Sequence, residues 1–320
     1  MSYVSAAPQV LGLPVATLAL IVSLFSFAIA VAALIWQIVK HVLDGGRVKV
    51  YLNAAILEPD LMLSTNHSGR FLLQDDAGAH SVKRGRALEL AQLVVENPGR
   101  LPVTVHSPGL AFSGHGKKRE SIVPRLFGTN GAYGVDDAVT ETVVRLEPFG
   151  RVAFLLDYWA VTSSILKDAR KGRVLVRGKV GVGGRGNKPQ MSSWRRRWLL
   201  TRGMYTAIEG SPELTPFAVI WGVMYRHLPT REAAEQDGDA RRGRPITRES
   251  VLFVLDEAMS RFDERPARDQ LEAALDEIAE KHGDLHPSFG FALLNSYESL
   301  DRMDGHLTEW TEGLLYRKRR

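Results

Sequence analysis

Cysteine is absent from all 320 residues, which excludes a disulfide scaffold, thiolate-bound zinc or iron–sulfur sites, and a thiol nucleophile. Charge is absent from residues 1–39, so every Asp, Glu, Lys and Arg falls after Val39. The common catalytic signatures are absent too: there is no His-Glu-x-x-His, no Gly-x-Ser-x-Gly and no Walker loop. At 45% hydrophobic and 24% charged, the chain can bury a substantial core and is expected to fold as two domains. The near balance of 41 basic and 36 acidic residues is an average over unlike parts. Residues 40–229 carry 27 basic and 16 acidic side chains, whereas 230–320 carry 14 and 20.

From Leu11 to Val39 run 29 uncharged residues dominated by Leu, Ile, Val, Phe and Ala. A bilayer span needs roughly 20 apolar residues, more than a buried soluble helix usually sustains. Pro14 suits a first helical position and Trp36 an interfacial one. The competing reading, a cleaved signal peptide, wants a basic leader and a shorter apolar run, and residues 1–10 hold no Lys or Arg. A transmembrane helix over 11–43 is therefore expected, after a short extracytoplasmic stretch 1–10. Lys40, Arg47 and Lys49 against Asp44 put the C-terminal side in the cytoplasm. The expected location is the plasma (inner) membrane, single pass, N-terminus out. The reversed orientation is the alternative.

Along this segment Gly12, Ala16, Ala19, Ser23, Ser26, Ala30, Ala33 and Gln37 recur at alternating steps of four and three. Small residues at a 3.5-residue period form a seam through which spanning helices can pack, here into a homo-oligomer. The plainer reading is that spanning helices are rich in Ala and Ser anyway.

After Gly45-Gly46 the period changes to two. Alternating runs occur at Arg47–Leu52, Arg70–Gln74, Ala87–Glu96, Leu101–Val105, Val139–Leu146, Arg151–Leu156, Arg173–Val182 and Ser192–Leu200. Turn chemistry separates them at Asn97-Pro98-Gly99, Ser107-Pro108-Gly109, Pro148-Phe149-Gly150 and Gly183–Pro189. The fold class expected is a single N-terminal transmembrane helix, an all-β antiparallel sandwich of immunoglobulin-like size over 46–202, and a C-terminal α-helical region.

Gly181-x-Gly183-Gly184-x-Gly186 resembles a phosphate cradle, but a strand-like run comes after it instead of a helix, so a hairpin loop is expected. Trp194-Arg195-Arg196-Arg197-Trp198, read as a strand, places Trp194, Arg196 and Trp198 on one face. Arginine beside tryptophan suits anionic lipid headgroups, while arginines on an edge strand also simply discourage edge pairing. Single-stranded nucleic acid would fit the same chemistry but is the least expected partner. Further basic clusters lie at Lys83–Arg86, Lys117–Arg119 and Lys167–Arg173.

Residues 203–229 form an apolar segment too short to span, buried or interfacial; 230–246 read as a linker; 247–320 as an acidic helical region ending in Arg317, Lys318, Arg319 and Arg320. One helix is expected from Thr247 to Phe262, a second starting near Pro266 with Gly283 after its end, and a third within 287–316. The basic tail is a second candidate for the membrane surface. His282 and His286 flank Asp284 at a helix exit, a poor metal geometry. Neither metal nor cofactor is expected. The functional expectation is a membrane-anchored interaction or regulatory protein, non-catalytic, contacting lipid headgroups or an unidentified protein partner. A tethered enzyme whose site joins residues distant in sequence is the alternative.

Overall fold

The computed structural model describes residues 9–10, 13–44, 47–57, 63–66, 87–116, 120–128, 138–186, 188–206, 208, 214–236, 246–283 and 286–314. The expected strand at 70–74, the basic clusters 83–86 and 117–119, and the tail 317–320 lie outside these residues, as do Gly12 and Asp284.

Two short strands, β1 (Gln9–Val10) and β2 (Leu13–Pro14), precede helix α1 (Val15–Asp44). Thr17–Lys40 of α1 has a mean hydropathy of 2.8 and none of it is buried, so this helix is long and apolar enough to cross a membrane. Phe25, Phe27, Ile29 and Trp36 are each about two-thirds exposed.

Among the described residues eleven strands come next: β3 (Lys49–Leu57), β4 (Leu63–Asn66), β5 (Leu88–Glu96), β6 (Val103–Ser113), β7 (Glu120–Ile122), β8 (Leu126–Phe127), β9 (Val143–Leu146), β10 (Arg151–Leu156), β11 (Arg173–Val182), β12 (Gln190–Met191) and β13 (Trp198–Thr201). They form two antiparallel sheets. The first has the order β4-β3-β5-β10-β8; the second runs β12-β11-β6-β7, with β13 also on β11 and β9 on β6. Alternation sends Val50, Leu52, Leu93, Val95 and Phe154 of the first sheet into one cluster with Val105, Phe112, Val174, Val176 and Trp198 of the second. The sheets approach closely at Gly178, where an added Cβ would lie 2.2 Å from Leu93 Cδ1. A glycine is required there by contact.

The first sheet is buried on its other face as well. Ala55, Leu57, Leu88, Leu90, Phe127 and Leu155 belong to a second cluster shared with the C-terminal helices. The helices in this cluster are α3 (Pro216–His227), α5 (Val251–Met259), α6 (Arg268–His282) and α7 (Ser288–Arg302); α4 (Arg231–Gln236) follows α3, and α2 (Trp159–Asp168) lies between β10 and β11. Helix α3 is the centre of this layer. Thr215 caps it by accepting from the Ala218 N–H at 3.1 Å, and Pro216 stands in the first turn. Its residues Pro216–Tyr225 are all buried, so the apolar segment is interior and not interfacial. A Cβ on Gly222 would sit 3.7 Å from Leu88 Cδ1, an ordinary contact that puts α3 directly on β5. The expected start at Thr247 is a turn: the Thr247 carbonyl accepts from Ser250 and Val251, and regular helix begins at Val251. The acidic helices thus share a core with the first sheet.

An ion pair ties the layers together. Asp157, directly after β10, meets Arg226 of α3 at 2.8 Å, with only 6% and 19% of the two side chains exposed. Arg248 adds a second tie, its guanidinium 5.4 Å from the ring centroids of both Phe127 and Tyr225. Removing one member of a buried pair leaves the other uncompensated. Asp157→Asn is expected to lower stability by about 3 kcal/mol, whereas Asp157→Leu combined with Arg226→Met recovers most of that loss. Chemical denaturation of the detergent-solubilised chain measures both.

Candidate functional site

The Trp194–Trp198 segment is not a strand. Ser193 caps one turn of 3-10 helix (Trp194–Arg196), accepting from the Arg195 N–H at 3.3 Å, and β13 begins only at Trp198. The inserted turn breaks the period of two, so the two tryptophans part company. Trp198 is 1% exposed, pairs with Val176 and meets Tyr158 edge-on at 5.2 Å. It belongs to the core and cannot touch a lipid surface. Trp194 is about half exposed, with the guanidinium groups of Arg197 and Arg177 at 4.5 and 5.4 Å from its ring. Arg195, Arg196 and Arg197 are exposed around it. Ser192 anchors the excursion: its N–H donates to the Gly178 carbonyl and its hydroxyl accepts from the Gly178 N–H, while Arg177 Nε donates to its carbonyl. The result is a basic, aromatic-bearing knuckle beside the edge of β11.

The glycine run resolves into separate structural roles. Gly178 admits Leu93, and Gly181 lies against the His106 imidazole, whose Cε1 would be 2.2 Å from an added Cβ. Gly184 and Gly186 take positive φ in the loop after β11. The next element is β12 and not a helix, so the run forms a hairpin loop.

On α1, Ala19, Ser23, Ser26, Ala30, Ala33 and Gln37 of the expected seam are exposed, as are the larger residues between them. Ala16 also lies within α1.

Among the described residues, two groups of titratable side chains distant in sequence converge at the end of the sheets far from α1. Glu89 at the start of β5 accepts from the Tyr158 hydroxyl and, at 2.6 Å, from the Thr206 hydroxyl. Tyr158 is completely buried, so this carboxylate is engaged in fastening the 201–206 segment to the first sheet. Asp157 and Arg226 form the second group, joined by His227, whose Nε2 lies 3.3 Å from Asn295 Nδ2 of α7. Neither group has a signal in the sequence, because each depends on chain reversals that spacing does not encode. Among the described residues, no cluster of three His, Asp or Glu side chains could hold a metal ion. A cleft of about 150 Å³ against α1 is lined by Trp36, Val39, Lys40 and Arg100 and brings cations and apolar surface together.

No protein-family model and no curated protein matches this chain.

His227 is pushed below its ordinary value by burial, then by the positive charges of Arg125 and Arg226, with Asp157 opposing. Folding therefore favours the neutral ring. Above the ordinary value of 6.5 both folded and unfolded rings are neutral; below it the unfolded chain takes up the proton first. The contribution is present above pH 6.5 and is lost as pH falls toward the depressed folded value. The thermal midpoint should accordingly drop between about pH 7 and pH 5, and His227→Gln should flatten that drop. An unchanged slope in the glutamine variant would show that this ring is not responsible.

Proposed function

We propose that this is a single-pass membrane protein whose two sheets and helical layer lie in the cytoplasm and act by binding, without catalysis. The observation that carries the reading is α1 itself: Thr17–Lys40 presents apolar side chains all round, with no part of the span buried by the rest of the described chain. Leaving such residues as Leu24, Phe25 and Phe27 in water forfeits about 2 kcal/mol each relative to an apolar environment, which a bilayer supplies. Lys40, Arg47 and Lys49 favour the cytoplasmic side for the sheets and helices beyond them, in the plasma (inner) membrane. The two sheets read as an antiparallel sandwich of immunoglobulin-like size, which carries binding surfaces on its edges and turns.

The knuckle at Trp194, Arg195, Arg196 and Arg197 supports contact with anionic headgroups or with an acidic face of a protein partner, and the tail Arg317–Arg320 supplies a second basic element. Nucleic acid has less support, since one exposed ring does not make a stacking platform. Small residues from Ala19 to Gln37 support self-association through α1. Protease added to inverted membrane vesicles should digest the chain beyond Arg47, and protease added to right-side-out vesicles should leave it intact; the opposite pattern would reverse the orientation. In a membrane self-association reporter, Ala19, Ser23 and Ala30 replaced together by Leu should abolish the oligomer signal. An unaltered signal would remove the seam.

A further inference from the structure

The end of the two sheets nearest α1 is built unlike the other. Lys49 at the start of β3, Glu96 at the end of β5 and Arg151 at the start of β10 lie in one row of the first sheet. In the second sheet Val103 at the start of β6 pairs with Leu146 at the end of β9, and β11 runs out past Val182 beside Val105. The turns 97–102 and 147–150 and the loop after Val182 therefore emerge together, at the end where the chain leaves Asp44 to enter β3.

Asn97, which has no exposed surface, clamps the first two turns to each other. Its side-chain N–H groups donate to the carbonyls of Leu101 at 2.8 Å, Glu147 at 3.1 Å and Leu146 at 3.3 Å, and its oxygen accepts from Gly99 at 3.0 Å. Its backbone N–H donates to the Gly150 carbonyl and its own carbonyl accepts from Phe149. The clamp fixes two apolar tips side by side. Leu101 is 54% exposed and Phe149 74%, the latter more than any large apolar side chain described in α1. Phe149 also has a φ of +60°, a region that L side chains avoid and a glycine would occupy without strain. A turn needed only to reverse the chain has no use for an exposed phenylalanine there.

Basic side chains outnumber acidic ones around the tips: Arg100 beside Leu101, Arg151 two residues after Phe149, and Arg185 and Lys188 in the third loop, against Glu96 at the end of β5 and Glu147, which is exposed and paired with Arg145 at 3.1 Å. Arg100 shares its cleft with Trp36, Val39 and Lys40, so the 97–102 turn reaches the level of the last turns of the Thr17–Lys40 segment. With α1 read as a span, that is the depth of a bilayer interface. A separate basic cluster, Lys167–Arg173, lies at the opposite end, where Arg173 opens β11.

We propose that this end is a lipid-docking face. Leu101 and Phe149 enter the headgroup region of the leaflet that α1 leaves, and Arg100, Arg151, Arg185 and Lys188 meet anionic headgroups. The inference rests on the reading of α1 as a bilayer span. Two apolar tips with a surplus of cations about them are far short of the roughly 800 Å² per partner that a protein interface buries, but they suit a surface the body is already tethered to.

The lack of cysteine makes the test direct, because a single introduced cysteine carries the only label. The full chain is placed in lipid nanodiscs containing phosphatidylserine, with a fluorophore at Phe25→Cys, Leu101→Cys, Phe149→Cys or Lys171→Cys, and spin-labelled lipid as quencher. Quenching is expected at 25, 101 and 149 and not at 171. Quenching at 25 without quenching at 101 and 149 would overturn the docking face while leaving the anchor standing; no quenching at 25 would overturn the anchor and the docking with it. Arg185→Gln with Lys188→Gln should lower the docked-to-undocked ratio at position 101 about fivefold per charge removed. A ratio unchanged by that pair would overturn the part given to the headgroups.

Discussion

Everything else in the fold depends on the first sheet being apolar on both faces. Leu52, Leu93 and Phe154 point one way and Leu88, Leu90 and Leu155 the other. Neither set can be left in water, because each large aliphatic or aromatic side chain exposed forgoes about 2 kcal/mol. The second sheet covers one face and α3 with its neighbours covers the other. Between them Asn53 and Gln92 lie in one row and join side chain to side chain at 3.1 Å, so polar groups buried there find partners in each other. The helical layer is therefore a structural necessity for the sheet and not an appended module.

Burial on two faces leaves the ends of the sheets as the places where the chain has freedom, and the two ends use it oppositely. At the far end several polar groups are spent internally: Glu89 on Tyr158 and Thr206, Asp157 on Arg226, Arg202 on the carbonyls of Lys167 and Ala169. At the end near α1 a buried asparagine satisfies the turn carbonyls, so the turn side chains are left to point outward. A carboxylate held by two hydroxyls resists rearrangement and offers nothing to a ligand. Apolar tips held by a hydrogen-bonded clamp cost little to present, since the clamp has already ordered them.

Local periodicity makes α1, most of the strands and the three longer C-terminal helices legible, because each is specified by its own residues. Three things are not legible in that way, each for a physical reason. The phase of Trp198 is lost because a single 3-10 turn, capped by Ser193, inserts into an otherwise alternating run and moves every later side chain to another face. The union of helices and sheet does have a signal, though not a periodic one: Leu88–Glu96 reads Leu-Glu-Leu-Ala-Gln-Leu-Val-Val-Glu, too apolar for a strand with one wet face. The Asn97 clamp looks in the sequence like turn punctuation alone. An Asn before Pro-Gly predicts a turn, but nothing in the spacing tells that its amide will reach across to carbonyls about fifty residues further along the chain.

The charge balance takes on a spatial meaning from this arrangement. On the proposed membrane reading, the excess of basic residues in 40–229 is useful only where it faces the leaflet, and screening confines its effect to about 10 Å. The clusters near α1 and at the Arg196 knuckle, whose charge is felt by Tyr51 only two residues from Lys49, fall within reach of that end; Lys167–Arg173 does not. The acidic helices pack on the first sheet through Leu57, Leu88, Leu90 and Leu155, toward the end of the sheet away from Lys49. A tether also changes what strength is needed. With the body held by α1 a few residues away, docking is an intramolecular step at high effective concentration, so two apolar tips and a few cations suffice where a free domain would need a much larger surface. A weak patch on a short tether is a reversible contact, and that reversibility is what a binding module at a membrane requires if a protein partner is to compete for the same end.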